Sequence, residues 1–283
     1  MTYGCTAGDR IQVAEDGTFE VLNRGGNLCL IVLPATPPAN ADIAALSTEF
    51  QPLGGIAGMG ILAAVTTKAL IFDFDGLLMD TETTLLESWR WEWQRHGLDL
   101  DPVGFFANHG GDANESRYAA LAEAVGPAYD RASSHALRMG HRAALNAALE
   151  PAPGVVSWLE RAAELGLRLA VASSSDVRHV GTMLDRAGLR PRFEVLATGD
   201  EVTAHKPDPA VYLLALNRLG LPAREAVAFE DTAHGVAAAQ AAGLPCVAVP
   251  NPHADRGRFT HADLLLPSAA DLSLDAVLAA LAS

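Results

Sequence analysis

The stretch Lys68-Ala-Leu-Ile-Phe-Asp73-Phe-Asp75-Gly76-Leu-Leu-Met-Asp80-Thr81 decides the fold. A short apolar run that ends in carboxylates reads as a buried parallel strand whose C-terminal end opens onto a site. Asp73 and Asp75 are separated by one residue, so they point to the same side of an extended chain and can work on one centre, although the backbone must curl as it leaves the sheet. Acidic pairs often end strands as solvated turns. Gly76 and the apolar residues ahead of the pair favour the functional reading here.

Downstream, similar runs recur at Leu167 to Ala172, Phe193 to Ala197, Ala226 to Phe229, Pro245 to Val249 and Asp263 to Leu266. Helical patterns separate most of them and have readable ends: Pro153 then Gly166, Asp176 then Gly188, Asp208 then Gly220, Thr232 then Gly243. Strand, helix, strand repeated in this way predicts an α/β fold, a doubly wound parallel sheet of Rossmann-like type covered on both faces. Residues 82–152 break the alternation. They offer only helical segments, such as Leu85 to His96, Glu115 to Val125 and Asp130 to Ala148, so an inserted helical cap is expected over the strand ends. Residues 67–81 and 153–283 then form the catalytic core. Leu85, Leu86, Trp89 and Trp93 make a stripe at helical spacing, read as the cap's own core rather than a stacking site.

Upstream, the character of the sequence changes near residue 66. Asp9 to Val32 alternates weakly, with turn signals at Asp16-Gly17 and Gly25-Gly26, which suits two or three short strands. Proline-, alanine- and glycine-rich sequence follows, and Met59 offers a second possible start. Residues 1–66 are expected to be an accessory extension, of short strands or disordered, without catalytic residues.

With 283 residues, 49% hydrophobic and 19% charged, the chain suits a well-buried globular protein of one or two domains. Its formal charge of -14 argues against nucleic acid as a partner. A phosphorylated ligand would need positive charge supplied locally, by lysine, a metal ion or helix N-termini. Cys5, Cys29 and Cys246 are an odd number spread far apart, which fits a reducing cytoplasm. Gly54 to Val65 is too short and glycine-rich to span a bilayer, and no leader pattern opens the chain, so no membrane partner is expected. A monomer or weak homodimer is the expected state.

Three further segments carry chemistry. Ser173-Ser174-Ser175 precedes Asp176 and a helix, where hydroxyls and backbone N–H groups suit a phosphate, although such a segment is more often only an N-cap. His205-Lys206-Pro207-Asp208-Pro209 fixes a lysine ahead of a proline-started helix. Ala226-Val-Ala-Phe-Glu230-Asp231-Thr232 puts two adjacent acids at a strand end, an arrangement that suits a hard cation such as magnesium.

In this order, each at the end of a strand, Asp73 to Asp80, Ser173, Lys206-Pro-Asp208 and Glu230-Asp231 resemble the four signature segments of the haloacid dehalogenase superfamily. The likeness is to the branch with a helical cap after the first strand, which contains phosphatases and beta-phosphoglucomutase-like enzymes. It covers about Lys68 to the C-terminus. The resemblance implies a magnesium-dependent phosphatase acting on a small phosphorylated metabolite such as a sugar phosphate. Asp73 is then the nucleophile that forms an aspartyl-phosphate, and Asp75 the general acid and base. Magnesium is implied to sit on Asp73, the Asp75 carbonyl and Asp231, with Glu230 direct or through water. Ser173, Ser174 and Lys206 are implied to hold the phosphoryl oxygens. Haloalkanoate-cleaving members lack the second aspartate. Sugar phosphomutases carry a histidine ten residues beyond it, where this chain has Leu85, so a mutase is the alternative. A non-catalytic module on the same fold is a second one, disfavoured because Asp73, Asp75, Lys206 and Asp231 all remain. Substrate choice belongs to the cap, where His109, Asp112, Arg117 and Arg138 could face the site, simple exposure being the commoner reading of each.

Overall fold

The computed structural model describes residues 10–13, 19–23, 67–103, 105–106 and 114–282, within two units, Met1–Ala63 and Ala64–Ser283. In the first unit, β1 (Arg10–Val13) and β2 (Phe19–Asn23) pair antiparallel. Cys5, Cys29, Met59, the Gly54 to Val65 stretch and any third strand before residue 33 lie outside the described residues.

The second unit is built on β3 (Ala69–Phe72), β4 (Arg168–Ala172), β5 (Val195–Ala197), β6 (Ala226–Glu230), β7 (Cys246–Ala248) and β8 (Leu264–Leu265). They form one parallel sheet in the order β5-β4-β3-β6-β7-β8. The period-2 alternation of strand side chains divides the sheet residues between two cores. Leu70, Phe72, Leu169, Val171, Val227 and Phe229 face one side, in one cluster with Trp158, Leu159, Val180, Leu184, Leu274 and Val277. Ala69, Ile71, Ala170, Ala172, Ala226 and Ala228 face the other, with Val211, Tyr212, Ala215 and Val236. Large residues on one face and alanines on the other let each layer of helices approach at its own depth.

The helices follow in chain order. The cap contains α1 (Thr81–Arg95), α2 (Asn114–Val125) and α3 (Arg131–Ala147). Around the sheet lie α4 (Val155–Glu164), α5 (Val177–Arg186), α6 (Ala210–Leu219), α7 (Ala233–Ala241) and α8 (Leu274–Leu281). Asp176 caps α5 by accepting from His179 N at 2.8 Å, and Thr232 caps α7 by accepting from Gly235 N at 3.0 Å. The N-caps of α4 and α6 fall one residue later than the sequence signals, at Gly154 and Pro209. Gly166, Gly188, Gly220 and Gly243 all take left-handed φ at the helix stops. Among the described residues, no helix is long and apolar enough to cross a membrane.

Leu85, Trp89, Tyr118 and Leu121 form the cap's interior, with Trp93 packed against them, as the stripe predicts for three of its four residues, whereas Leu86 is buried and lines a cavity beside Asn251. Arg138 departs from expectation. It is only 2% exposed, and its Nε donates to Tyr118 Oη at 2.9 Å. A second guanidinium nitrogen donates to Ser88 Oγ at 3.2 Å, and the group lies 4.3 Å over the Trp89 ring. Burial lowers its pKa, and the hydroxyl and ring contacts replace the water it has lost. Arg117 is half-buried, donating to Phe105 O and stacking 3.9 Å over the Phe105 ring. His109 and Asp112 lie outside the described residues.

Trp158 fills the larger-residue core, packs 5.1 Å from the Phe229 ring and donates Nε1–H to Leu272 O at 2.8 Å. Trp158→Ala should destabilise the protein by about 3–5 kcal/mol through the cavity it leaves. Trp158→Phe should lose less, since only the indole bond and part of the volume go. Urea denaturation midpoints at constant m-value would measure both.

Candidate active site

The site follows from strand register. Phe72 of β3 stands opposite Phe229 of β6, so Asp73, just past β3, and Glu230, the last residue of β6, come side by side at the strand ends. Asp73 N donates to Phe229 O at 2.9 Å, which extends the ladder by one bond before the chain curls. Asp231 follows Glu230 directly. At Gly76 the backbone turns through φ +85°, and a Cβ there would overlap the Asp231 carboxylate, so glycine is required both for conformation and for space.

Lys206 enters from the loop before α6 and is buried among these acids. Its Nζ donates to Asp73 Oδ1 at 2.5 Å, Glu230 Oε1 at 2.5 Å and Ala172 O at 2.9 Å, which uses all three ammonium donors. Tyr212 Oη also donates to Glu230 Oε1, at 2.5 Å. Glu230 is therefore tied back towards Lys206 and α6. Asp231 has a different partner, Oδ2 accepting from Asn251 Nδ2 at 2.7 Å, while its Oδ1 is buried without a hydrogen-bond partner.

Burial raises the Asp73 carboxyl well above the ordinary carboxylate range, with Lys206 opposing that rise and Glu230 and Asp75 adding to it. Asp231 is raised too, by burial first and then by the charges of Asp73, Glu230 and Glu82. Both shifts express one imbalance, since a single ammonium sits among three buried carboxylates. Asp73, Glu230 and Asp231 each offer an oxygen, all within 4.8 Å of one another. An all-oxygen donor set, an orphaned buried carboxylate oxygen and excess negative charge fit a hard divalent cation.

Asp75 turns towards β4 and α5. Thr81 Oγ1 donates to its Oδ1 at 2.8 Å, Ser175 Oγ donates to Oδ2 at 2.6 Å, and His179 Nε2 lies 3.0 Å from Oδ1. Burial pushes the Asp75 pKa up, but the bonds from His179, Ser175 and Thr81 together with the His179 charge outweigh it and hold the carboxyl below its ordinary range. The partner shift appears in His179: burial lowers its pKa, while the hydrogen bond and charge of Asp75 raise it above the ordinary histidine value.

Of the residues singled out in sequence, Asp73, Lys206, Glu230 and Asp231 meet in one cluster, with Asp75 two residues from the first. Ser173 is buried at the end of β4, and its Oγ accepts from Ser175 N at 3.0 Å. Ser174 is exposed beside it. Sequence reasoning missed the roles of Thr81, Ser175, His179, Tyr212 and Asn251. Thr81 and Ser175 stood inside the quoted motifs, whereas Tyr212 and Asn251 carried no local signal.

A cavity of about 470 Å³ opens beside Asn251 and Thr232, between Leu86, Pro102 and Phe106 of the cap and His234, His253 and Phe259 of the core. His253 links its two walls, with Nε2 2.8 Å from Thr83 Oγ1 and its ring stacked 4.9 Å from Phe106.

The sign of the pH dependence follows from the raised acids. Asp73 and Asp231 hold protons in the folded, metal-free protein at pH values where the unfolded chain, with pKa near 3.8, has lost them. The stabilisation contributed by these two groups is therefore fully present below that value and is lost as pH rises through the raised folded values. Melting temperatures taken across this range should fall with pH for the metal-free protein and flatten in saturating divalent cation. Asp231→Asn should also reduce the slope.

The family model described as haloacid dehalogenase-like hydrolase matches residues 70–249. YhcW of Bacillus subtilis (strain 168), which carries a phosphatase name, is 39% identical over 73% of this chain and 94% of its own. The fructose-1-phosphate phosphatase YqaB of Escherichia coli (strain K12) is 32% identical over 64% of this chain and 95% of its own. The crystal structure of a mutant of CbbY from Rhodobacter sphaeroides, in complex with xylulose-(1,5)bisphosphate, superposes with a TM-score of 0.60 at 30% identity, covering 73% of this chain and 96% of that one. The match across residues 70–249 runs from β3 through β7 and takes in the whole Asp73, Lys206, Glu230 and Asp231 cluster, and the chain belongs to the haloacid dehalogenase-like hydrolases.

Proposed function

We propose that this hydrolase is a magnesium-dependent phosphatase that releases phosphate from a small phosphorylated sugar through an aspartyl-phosphate on Asp73. The observation that carries the reading is the Asp73 carboxylate anchored through Oδ1 by buried Lys206, with the triply hydrogen-bonded Asp75 two residues along. The name of YqaB and the bisphosphate held by CbbY support a sugar phosphate as the substrate class.

With Oδ1 bonded to Lys206, Asp73 presents Oδ2 to phosphorus, in line with the departing alcohol oxygen. Asp75 gives that oxygen a proton as the P–O bond breaks, then takes a proton from water as it attacks the aspartyl-phosphate. Phosphate leaves and Asp73 is regenerated. Ser173 and Ser174, beside the first turn of α5, hold the phosphoryl oxygens together with Lys206, whose ammonium exchanges one of its three present acceptors for a phosphoryl oxygen. Magnesium, when bound by Asp73, the Asp75 carbonyl and Asp231 with Glu230 direct or through water, supplies the positive charge that an acidic chain needs around a phosphate. Water rather than a second sugar hydroxyl is the acceptor, because Leu85 is 8% exposed and belongs to the cap interior. No imidazole at that position couples the cap to Asp75.

Asp73→Asn should abolish phosphate release while leaving the melting temperature high, since it keeps volume and removes the nucleophile. Asp75→Asn should slow turnover about 10²-fold or more. Normal turnover in the first variant overturns the mechanism. A panel of sugar phosphates, assayed for inorganic phosphate and free sugar, tests the substrate class.

Excess chelator should silence the enzyme and magnesium restore it, while calcium, which takes more ligands at longer distances, should restore little. Full activity in chelator would remove the metal from the scheme.

A further inference from the structure

Three groups converge on one carboxylate, and the proton chemistry above uses only what they hold. An ionised carboxylate is an acceptor with about four lone-pair directions, two on each oxygen. On Asp75, Oδ1 takes Thr81 Oγ1 at 2.8 Å and His179 Nε2 at 3.0 Å, while Oδ2 takes Ser175 Oγ at 2.6 Å. Oδ1 is thus fully used and Oδ2 keeps one direction. Facing a carboxylate, the His179 nitrogen must carry the hydrogen. Phe74 meets the ring edge-on at 5.7 Å, and the backbone is fixed where His179 N donates to the N-cap Asp176 Oδ1 at 2.8 Å. His179 lies in the first turn of α5, so the helix that begins just past Ser175 also fixes the angle of the imidazole.

We propose that His179 is a positioning residue for proton transfer. With Thr81 it pins Oδ1 of Asp75, so that Oδ2 is the oxygen presented first to the departing alcohol and then to water. The proposal rests on Asp75 being the general acid and base. Without His179 the carboxylate can swing and exchange its two oxygens, and the fraction of time spent in the productive geometry falls. In the forward step Asp75 starts protonated on the open direction of Oδ2: Asp73 bonds to phosphorus, the P–O bond to the alcohol breaks with its electron pair on oxygen, and the Oδ2 proton moves to that oxygen, to be replaced by one from the water that attacks the aspartyl-phosphate.

Leaving-group dependence tests this, because kcat/KM covers only the steps through loss of the leaving group. An alcohol departs poorly without a proton, whereas p-nitrophenol departs as a stable anion. For His179→Ala, kcat/KM on a sugar phosphate should fall about 10-fold, part of the roughly 10²-fold or more that loss of the general acid itself would cost, while kcat/KM on p-nitrophenyl phosphate stays within about twofold. His179→Gln, which restores an N–H donor, should recover most of the loss. If the alanine variant does not fold, His179→Phe keeps the packing on Phe74 without the donor and reads the same ratio. Equal loss on both substrates, or loss on neither, overturns the proposal. Asp75→Asn is measured alongside: a selective loss there upholds the acid reading, and its absence means that reading has failed and the positioning role with it.

Discussion

Burying three carboxylates around one ammonium is the constraint on which the rest of this structure depends. Asp73, Glu230 and Asp231 lose their water at the ends of β3 and β6, and Lys206 meets only part of that demand. Desolvating charged groups costs several kcal/mol each, and breaking a pair costs more than never having had one. The surroundings are arranged accordingly. Tyr212 takes up part of Glu230, Asn251 takes up one oxygen of Asp231, and Gly76 leaves room for the rest. What is left over, the orphaned Asp231 oxygen and the raised acids, is a standing requirement for a cation.

The sheet makes that crowding possible. Parallel strands in register end at one level, so residues far apart in sequence arrive together with no side chain needed to guide them. Lys206 comes from beyond β5, yet it bonds the carbonyl of Ala172 at the end of β4, Asp73 just after β3 and Glu230 at the end of β6. The two cores beneath hold the strand ends rigidly, which lets a carboxylate and an ammonium stand at hydrogen-bonding distance without flexible linkers between them.

Much of this was legible in the sequence because the signals were local. Apolar runs closed by acids, and helices closed by glycine, gave the α/β alternation, although the strands begin or end a residue or two inside the apolar runs: Leu167 to Ala172 becomes Arg168–Ala172, and Asp263 to Leu266 becomes Leu264–Leu265. The acids and Lys206 that meet in the cluster carried signals of the same kind, each beside a strand end, a turn or a cap. Tyr212 and Asn251 did not, since a tyrosine inside an apolar helix and an asparagine after a strand have ordinary local explanations. Their importance arises only when α6 and the β7 loop reach the charges. Arg138 was misread for a related reason. An arginine on an amphipathic helix is usually solvated, and only the placement of Trp89 and Tyr118 turns it inward.

The cap's interior also bears on how such a chain can diverge. Leu85, Trp89, Tyr118 and Leu121, closed by Arg138, form a cluster separate from the two that sandwich the sheet. The cap residues that line the cavity, Leu86, Pro102 and Phe106, belong to neither sheet core, and the cap's aromatic centre shares no residue with either. Duplicated copies of the chain can therefore vary the cap wall of that cavity while inheriting Asp73, Lys206, Asp231 and Asn251 unchanged, because those four lie on the core side.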